Sequence, residues 1–123
     1  MQNIRIIAPD RPVYGRTEFK KHALEKWPHD ITELADHLGI NKFHLFAPSG
    51  GGPYALACAW KIPLFQIKSK IVLWHAEDDC LVGNMTKYLA NKLQNSEFIS
   101  LPKVGHLWVM EHMKEILRKL INT

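Results

Sequence analysis

Three residues of this 123-residue chain, Ser49, Asp79 and His106, have the types that acyl transfer needs. A serine hydroxyl is a weak nucleophile until an imidazole accepts its proton during attack. A carboxylate beyond the ring then fixes the tautomer and stabilises the imidazolium that forms. The gaps are thirty and then twenty-seven residues, each about one strand–helix unit. Ser49 sits in Ala47-Pro48-Ser49-Gly50-Gly51, whose small side chains permit a tight turn. Gly51 avoids a clash with the incoming strand, and Gly50 lets the backbone approach a substrate. A helix starting at about Gly51 would aim its N-terminal N–H groups at a developing oxyanion, with the N–H of Gly50 as the expected donor. Asp79 is the preferred acid, with its neighbour Asp78 as the alternative. Trp108, two residues beyond His106, is close enough to border a substrate pocket.

Blander readings stand beside each of these. A serine in a glycine-rich turn is often only a helix cap, Asp79 alone would cap the helix after Gly83, and His106 alone would be a surface residue. The run Gly50-Gly51-Gly52 resembles a phosphate cradle, but it lacks a Lys-Ser/Thr pair and Pro53 removes a donor. His22, His29, His37, His44, His75 and His112 show no metal-ligand spacing, so no metal and no cofactor are expected. Cys58, in the apolar stretch Ala55 to Trp60, reads as a buried small hydrophobe. Cys80 follows two acids, a poor setting for a nucleophilic thiolate. Trp27, Trp60, Trp74 and Trp108 are most simply core or rim residues.

The elements that must position these groups alternate. Ile4 to Ala8, Lys42 to Ala47, Lys70 to His75 and Ser96 to Leu101 read as strands. Trp27 to Leu38 carries apolar residues at helical spacing and is followed by Gly39, where a capping glycine belongs. Further helices are predicted from about Gly51 to Trp60, Asn84 to Leu93 and Trp108 to Ile121. Such alternation predicts an α/β fold: one domain over residues 1–123 with a parallel sheet of about four strands and flanking helices. Ser49, Asp79 and His106 each follow a strand, at the edge of a parallel sheet where ligands bind.

Composition narrows the function class. Hydrophobic residues make up 46% and charged residues 23%, a globular balance. The net charge of +4 is spread over Lys20, Lys21, Lys68, Lys70, Lys87, Lys92, Lys114 and Arg118 without interleaved aromatics, so no nucleic-acid partner is expected. Apolar runs such as Ile71 to Trp74 are too short to span a bilayer. No basic segment followed by an apolar one opens the chain, and a cytoplasmic location is expected.

Four stretches together resemble the α/β-hydrolases. Phe46 to Ala55, with its S-G-G-G-P-Y-A core, is similar to that family's nucleophile elbow. Ala8 to Arg16 looks like its A-P-D-x-P-G-Y-G-x-S loop. Trp74 to Asp79 and Val104 to His106 look like its acid and histidine segments. The resemblance implies Ser49 as nucleophile, Asp79 as orienting acid and His106 as base, acting on a small carboxylic ester through an acyl-enzyme. Ala47, Ala76 and Val13 stand where the family usually has glycine. The family also has earlier strands, one ending in an H-G loop that gives a second oxyanion donor, and a helical cap where this chain has Pro63 to Ile67. The chain is therefore expected to be a shortened member. Loss of one oxyanion donor lowers rates on the order of 100- to 1000-fold, so reduced activity is expected. The alternative is a non-catalytic binding module of the same fold. Uncovered apolar surface is expected to be buried by a second copy, as a homodimer or a strand-exchanged oligomer.

Overall fold

A computed structural model describes every residue except Met1, Gln2, His22, Leu64, Phe65, Lys68, Ser69, Gln94 and Thr123. His22 and Lys68, considered above as a candidate ligand and as part of the basic surface, thus lie outside the described residues. The elements are α1 (Ala23–His37), a 3₁₀ turn (Ser49–Gly51), α2 (Gly52–Lys61), β1 (Ile71–Ala76), α3 (Met85–Lys92), β2 (Ser96–Leu101) and α4 (Trp108–Ile121).

Two packed units carry the fold. In the first, α1 lies on α2 around buried Trp27, Cys58, Ile62 and Ile67, with Ile31, Phe43, Leu45 and Tyr54 packed against them. The Trp27 and Tyr54 rings meet edge-on at 5.8 Å, a favoured aromatic geometry. Cys58 is fully buried, and burial pushes its thiol up to about 11. Gly39 ends α1 with φ +65°, and Ile40 N–H returns to the Ala35 carbonyl at 2.8 Å, so the expected glycine cap is in place. The helix begins at Ala23, before the expected Trp27, and runs through Pro28. Pro28 has no N–H to donate to the Leu24 carbonyl four residues back; Lys61 Nζ donates to the next carbonyl, that of Glu25, at 3.2 Å.

In the second unit β1 and β2 pair in parallel, from Ile71 opposite Ser96 to Ala76 opposite Leu101. Trp108 at the start of α4 stacks on Trp74 of β1 at 5.5 Å. Glu97 of β2 pairs with Lys119 of α4 and with Lys70. Ile116 is the buried anchor of α4.

The expectation of about four strands does not hold: among the described residues the sheet has two strands. Ile4 to Ala8 is extended but makes no backbone hydrogen bond to another described residue. Lys42 to Ala47 contributes one isolated parallel bridge, Phe43 to Ile67, with Phe43 N–H donating to the Gln66 carbonyl at 3.0 Å. A ladder needs a neighbouring chain about 4.8 Å away, and β propensity alone supplies none. The apolar side chains of the first segment are left outside, with Ile6 72% exposed. They border an open apolar cleft of about 970 Å³ that also touches Leu45, Phe46 and Leu117. Trp60, expected in the core or at its rim, is 83% exposed.

Val13 has φ +68°. A β-branched residue is strained there, and Val13 is 62% exposed, so its side chain gains little from packing. Val13→Gly is expected to raise stability by about 1 kcal/mol, the released strain exceeding glycine's added chain entropy. Urea unfolding checks this: an unchanged or lower midpoint would contradict it.

Candidate active site

The chain enters the elbow extended, with Pro48 at φ −78° and ψ 152°, and turns at Ser49, whose φ is +49°. Serine rarely occupies this left-handed region, and such strain is held only where surrounding structure fixes it. The turn leads at once into α2, with Pro53 in its first turn, where a missing N–H costs little. A Cβ on Gly51 would lie 3.2 Å from Ala47 Cβ, so the helix approaches the incoming chain too closely for a larger residue to fit without a shift. Gly51 N–H donates to the Pro48 carbonyl at 3.0 Å and Gly52 N–H to that of Ser49. The N–H of Gly50 makes no hydrogen bond to any described residue and remains available to a ligand.

The other two candidates come from the sheet. Because β1 and β2 are parallel neighbours in register, the loops after them leave from the same edge. Glu77 N–H donates to the Leu101 carbonyl at 3.0 Å, and Asp78 N–H to that of Val104 at 3.1 Å. These bonds join the acid loop to the histidine loop. Asp78 itself is exposed, and its role here is carried by its backbone. Asp79, next along, is 8% exposed and turns inward.

Asp79 Oδ1 accepts the N–H groups of Leu81 at 2.9 Å and Val82 at 3.3 Å. Its Oδ2 lies 2.7 Å from His106 Nδ1, and His106 Nε2 lies 2.9 Å from Ser49 Oγ. The structure thus brings Ser49, Asp79 and His106 into one continuous chain of hydrogen bonds. The ionised carboxylate can only accept, so Nδ1 carries the proton and Nε2 presents a lone pair to the serine hydroxyl. Burial alone pushes the Asp79 carboxyl up. The hydrogen bond from His106, the two backbone N–H groups and the positive charge of the protonated ring outweigh it, and hold the group below the usual carboxylate value.

Trp108 is half-buried, its ring stacked on Trp74 and 5.9 Å from that of His112. His75 is buried in β1, stacked on Phe98 at 6.0 Å, and its Nδ1 has no hydrogen-bond partner among the described residues. On α1, ligand atoms of His29, Asp30 and Glu33 lie within 4.8 Å of one another. Lys20 is paired with Asp30 and His29 with Glu33, as in an ordinary charged helix face.

One contact of the elbow was not foreseen from spacing. Arg11 Nη1 donates to the Gly50 carbonyl at 2.7 Å across 39 residues. Its place in the stretch Ala8 to Arg16 was a signal that this loop matters, but nothing local said what it would reach.

No family profile and no curated protein matches the chain. Among solved structures it is similar to a predicted CIB-like hydrolase from Thermoplasma acidophilum, with a TM-score of 0.74 at 18% identity. The match covers 93% of this chain and 68% of the other. The likeness is one of fold: an α/β chain built like that hydrolase. Among the described residues no helix is long and apolar enough to cross a membrane.

Proposed function

We propose that this chain is a serine hydrolase that cleaves carboxylic esters through an acyl-enzyme on Ser49. The observation that carries the reading is the unbroken relay from Asp79 to His106 to Ser49, at 2.7 and 2.9 Å. Ser49 Oγ attacks the ester carbonyl while His106 Nε2 takes the hydroxyl proton. Asp79 keeps Nδ1 protonated and stabilises the imidazolium. The developing oxyanion is met by the free N–H of Gly50. His106 then gives its proton to the departing alkoxide, leaving the acyl group on Ser49. Water then attacks the acyl carbonyl as His106 takes its proton; the bond to Ser49 Oγ breaks, His106 returns the proton to Oγ, and acid and free serine result.

The fold likeness to a predicted hydrolase supports the reaction class, and the exposed position of Ser49 suits a substrate arriving from solvent. With one donor identified at the oxyanion position, turnover is expected to be slow. Acid-quenched intact mass during p-nitrophenyl acetate turnover tests the proposal. The expected result is an acetylated protein that Ser49→Ala does not form. Equal acetylation of both proteins would overturn it.

A further inference from the structure

The loop from Pro9 to Thr17 takes no part in the relay, yet it is tightly made and ends against the elbow. The Arg11 carbonyl accepts Tyr14 N–H at 2.9 Å and the Thr17 hydroxyl at 2.5 Å, which fixes the backbone that launches the side chain. The Arg11 guanidinium lies over the rings of Tyr14 and Tyr54, 4.6 and 4.9 Å from their centres. Tyr54 is itself seated edge-on against buried Trp27. Rings in these positions favour a guanidinium electrostatically and restrict its plane. Among the described residues no carboxylate pairs with Arg11, and its side chain donates one hydrogen bond, to the Gly50 carbonyl.

That carbonyl matters because of where Gly50 stands. It follows strained Ser49 and carries the N–H assigned to the oxyanion. As a glycine it has no side chain of its own to pack. The bonds from Gly51 to Pro48 and from Gly52 to Ser49 are local to the turn. Among the described residues only the Arg11 bond ties Gly50 to a segment distant in sequence, through its carbonyl and by a charge-assisted contact stronger than a neutral one.

From this we infer that Arg11 is a positioning residue: it holds the Gly50 carbonyl, and through it the turn in which Ser49 and the Gly50 N–H keep their reactive alignment. This rests on the hydrolase reading. Preorganisation of this kind acts on the transition state more than on substrate binding. Its loss therefore appears in kcat rather than in KM.

The test compares wild type, Arg11→Met and Arg11→Lys. Methionine keeps an apolar stem between the two tyrosines but has no donor; lysine keeps the charge and a donor without the fork. The readouts are kcat and KM for p-nitrophenyl acetate, the rate of fluorophosphonate labelling at Ser49, and the melting curve. Arg11→Met is expected to slow kcat and labelling roughly tenfold to a hundredfold with KM nearly unchanged, the scale of a small misplacement. Arg11→Lys is expected to recover part of the loss. Labelling of folded Arg11→Met at the wild-type rate would overturn the inference and leave the hydrolase reading intact. So would a slower variant whose loss matches its unfolded fraction. A wild type inert to the probe would overturn the hydrolase reading and this inference with it.

Discussion

Replacing His106 by alanine is expected to lower ester turnover on the order of 10⁴- to 10⁶-fold, and adding Ser49→Ala is expected to cost almost nothing more. The two residues act as one device. His106 Nε2 sits 2.9 Å from Ser49 Oγ, and a hydroxyl whose proton has nowhere to go gains nothing from being present. What survives either change is the catalysis due to Gly50 and to binding alone, so single and double variants reach the same floor. Independent, additive losses would show that the hydrogen bond between them has no part in the chemistry. His106 is partly exposed in a loop joined by backbone bonds to the acid loop. Its replacement removes one of the bonds that hold the Asp79 carboxylate, so a modest drop in melting temperature is expected, and assays on protein still fully folded separate lost chemistry from lost fold.

Asp79→Asn is expected to cost about 10⁴-fold in turnover, because an amide can donate to Nδ1 and so stabilise the wrong tautomer. It also has a stability signature whose sign follows from the lowered carboxyl. Below the usual carboxylate value of about 4 the unfolded chain takes up the proton first. The contribution of Asp79 to stability is therefore complete above about pH 4, and it is lost as pH falls through the lower folded value. The wild type should melt above Asp79→Asn at neutral pH, and the gap should narrow on acidification. Glu97 is held low by Lys119 first and Lys70 second. It adds the same trend to both proteins and cancels in the comparison. Melting curves from pH 7 downward check this, and a gap that widens in acid would contradict the sign.

The parts of the structure legible in sequence were those settled by local spacing. The apolar residues Val109, Met113, Ile116, Leu117 and Leu120 recur at helical intervals, and α4 runs from Trp108 to Ile121 as predicted. Ser96 to Leu101 is likewise the strand expected. Because the loops after β1 and β2 must leave the same sheet edge, parallel pairing brought the acid loop beside the histidine loop, while the choice of Asp79 over Asp78 came from the hydrolase resemblance. Strand pairing at the other end did not follow. Ile4 to Ala8 is rich in β-branched residues, but hydrogen bonding depends on a neighbour that periodicity cannot supply. The start of α1 was misplaced because the apolar spacing first shows at Trp27, whereas the helix begins a turn earlier at Ala23 and carries Pro28 inside it. Arg11 was illegible for another reason. Its partner is a backbone carbonyl 39 residues away, and such a contact leaves no pattern in composition or spacing.

The central claim is that Ser49 is an activated nucleophile, and fluorophosphonate labelling read by intact mass tests it most directly. The probe needs a serine with a base beside it and little else in the way of substrate fit. The account predicts one adduct on the folded wild-type chain, mapped to Ser49 and absent from Ser49→Ala. A well-folded wild type that gains no adduct, or an adduct that persists in Ser49→Ala, would contradict it.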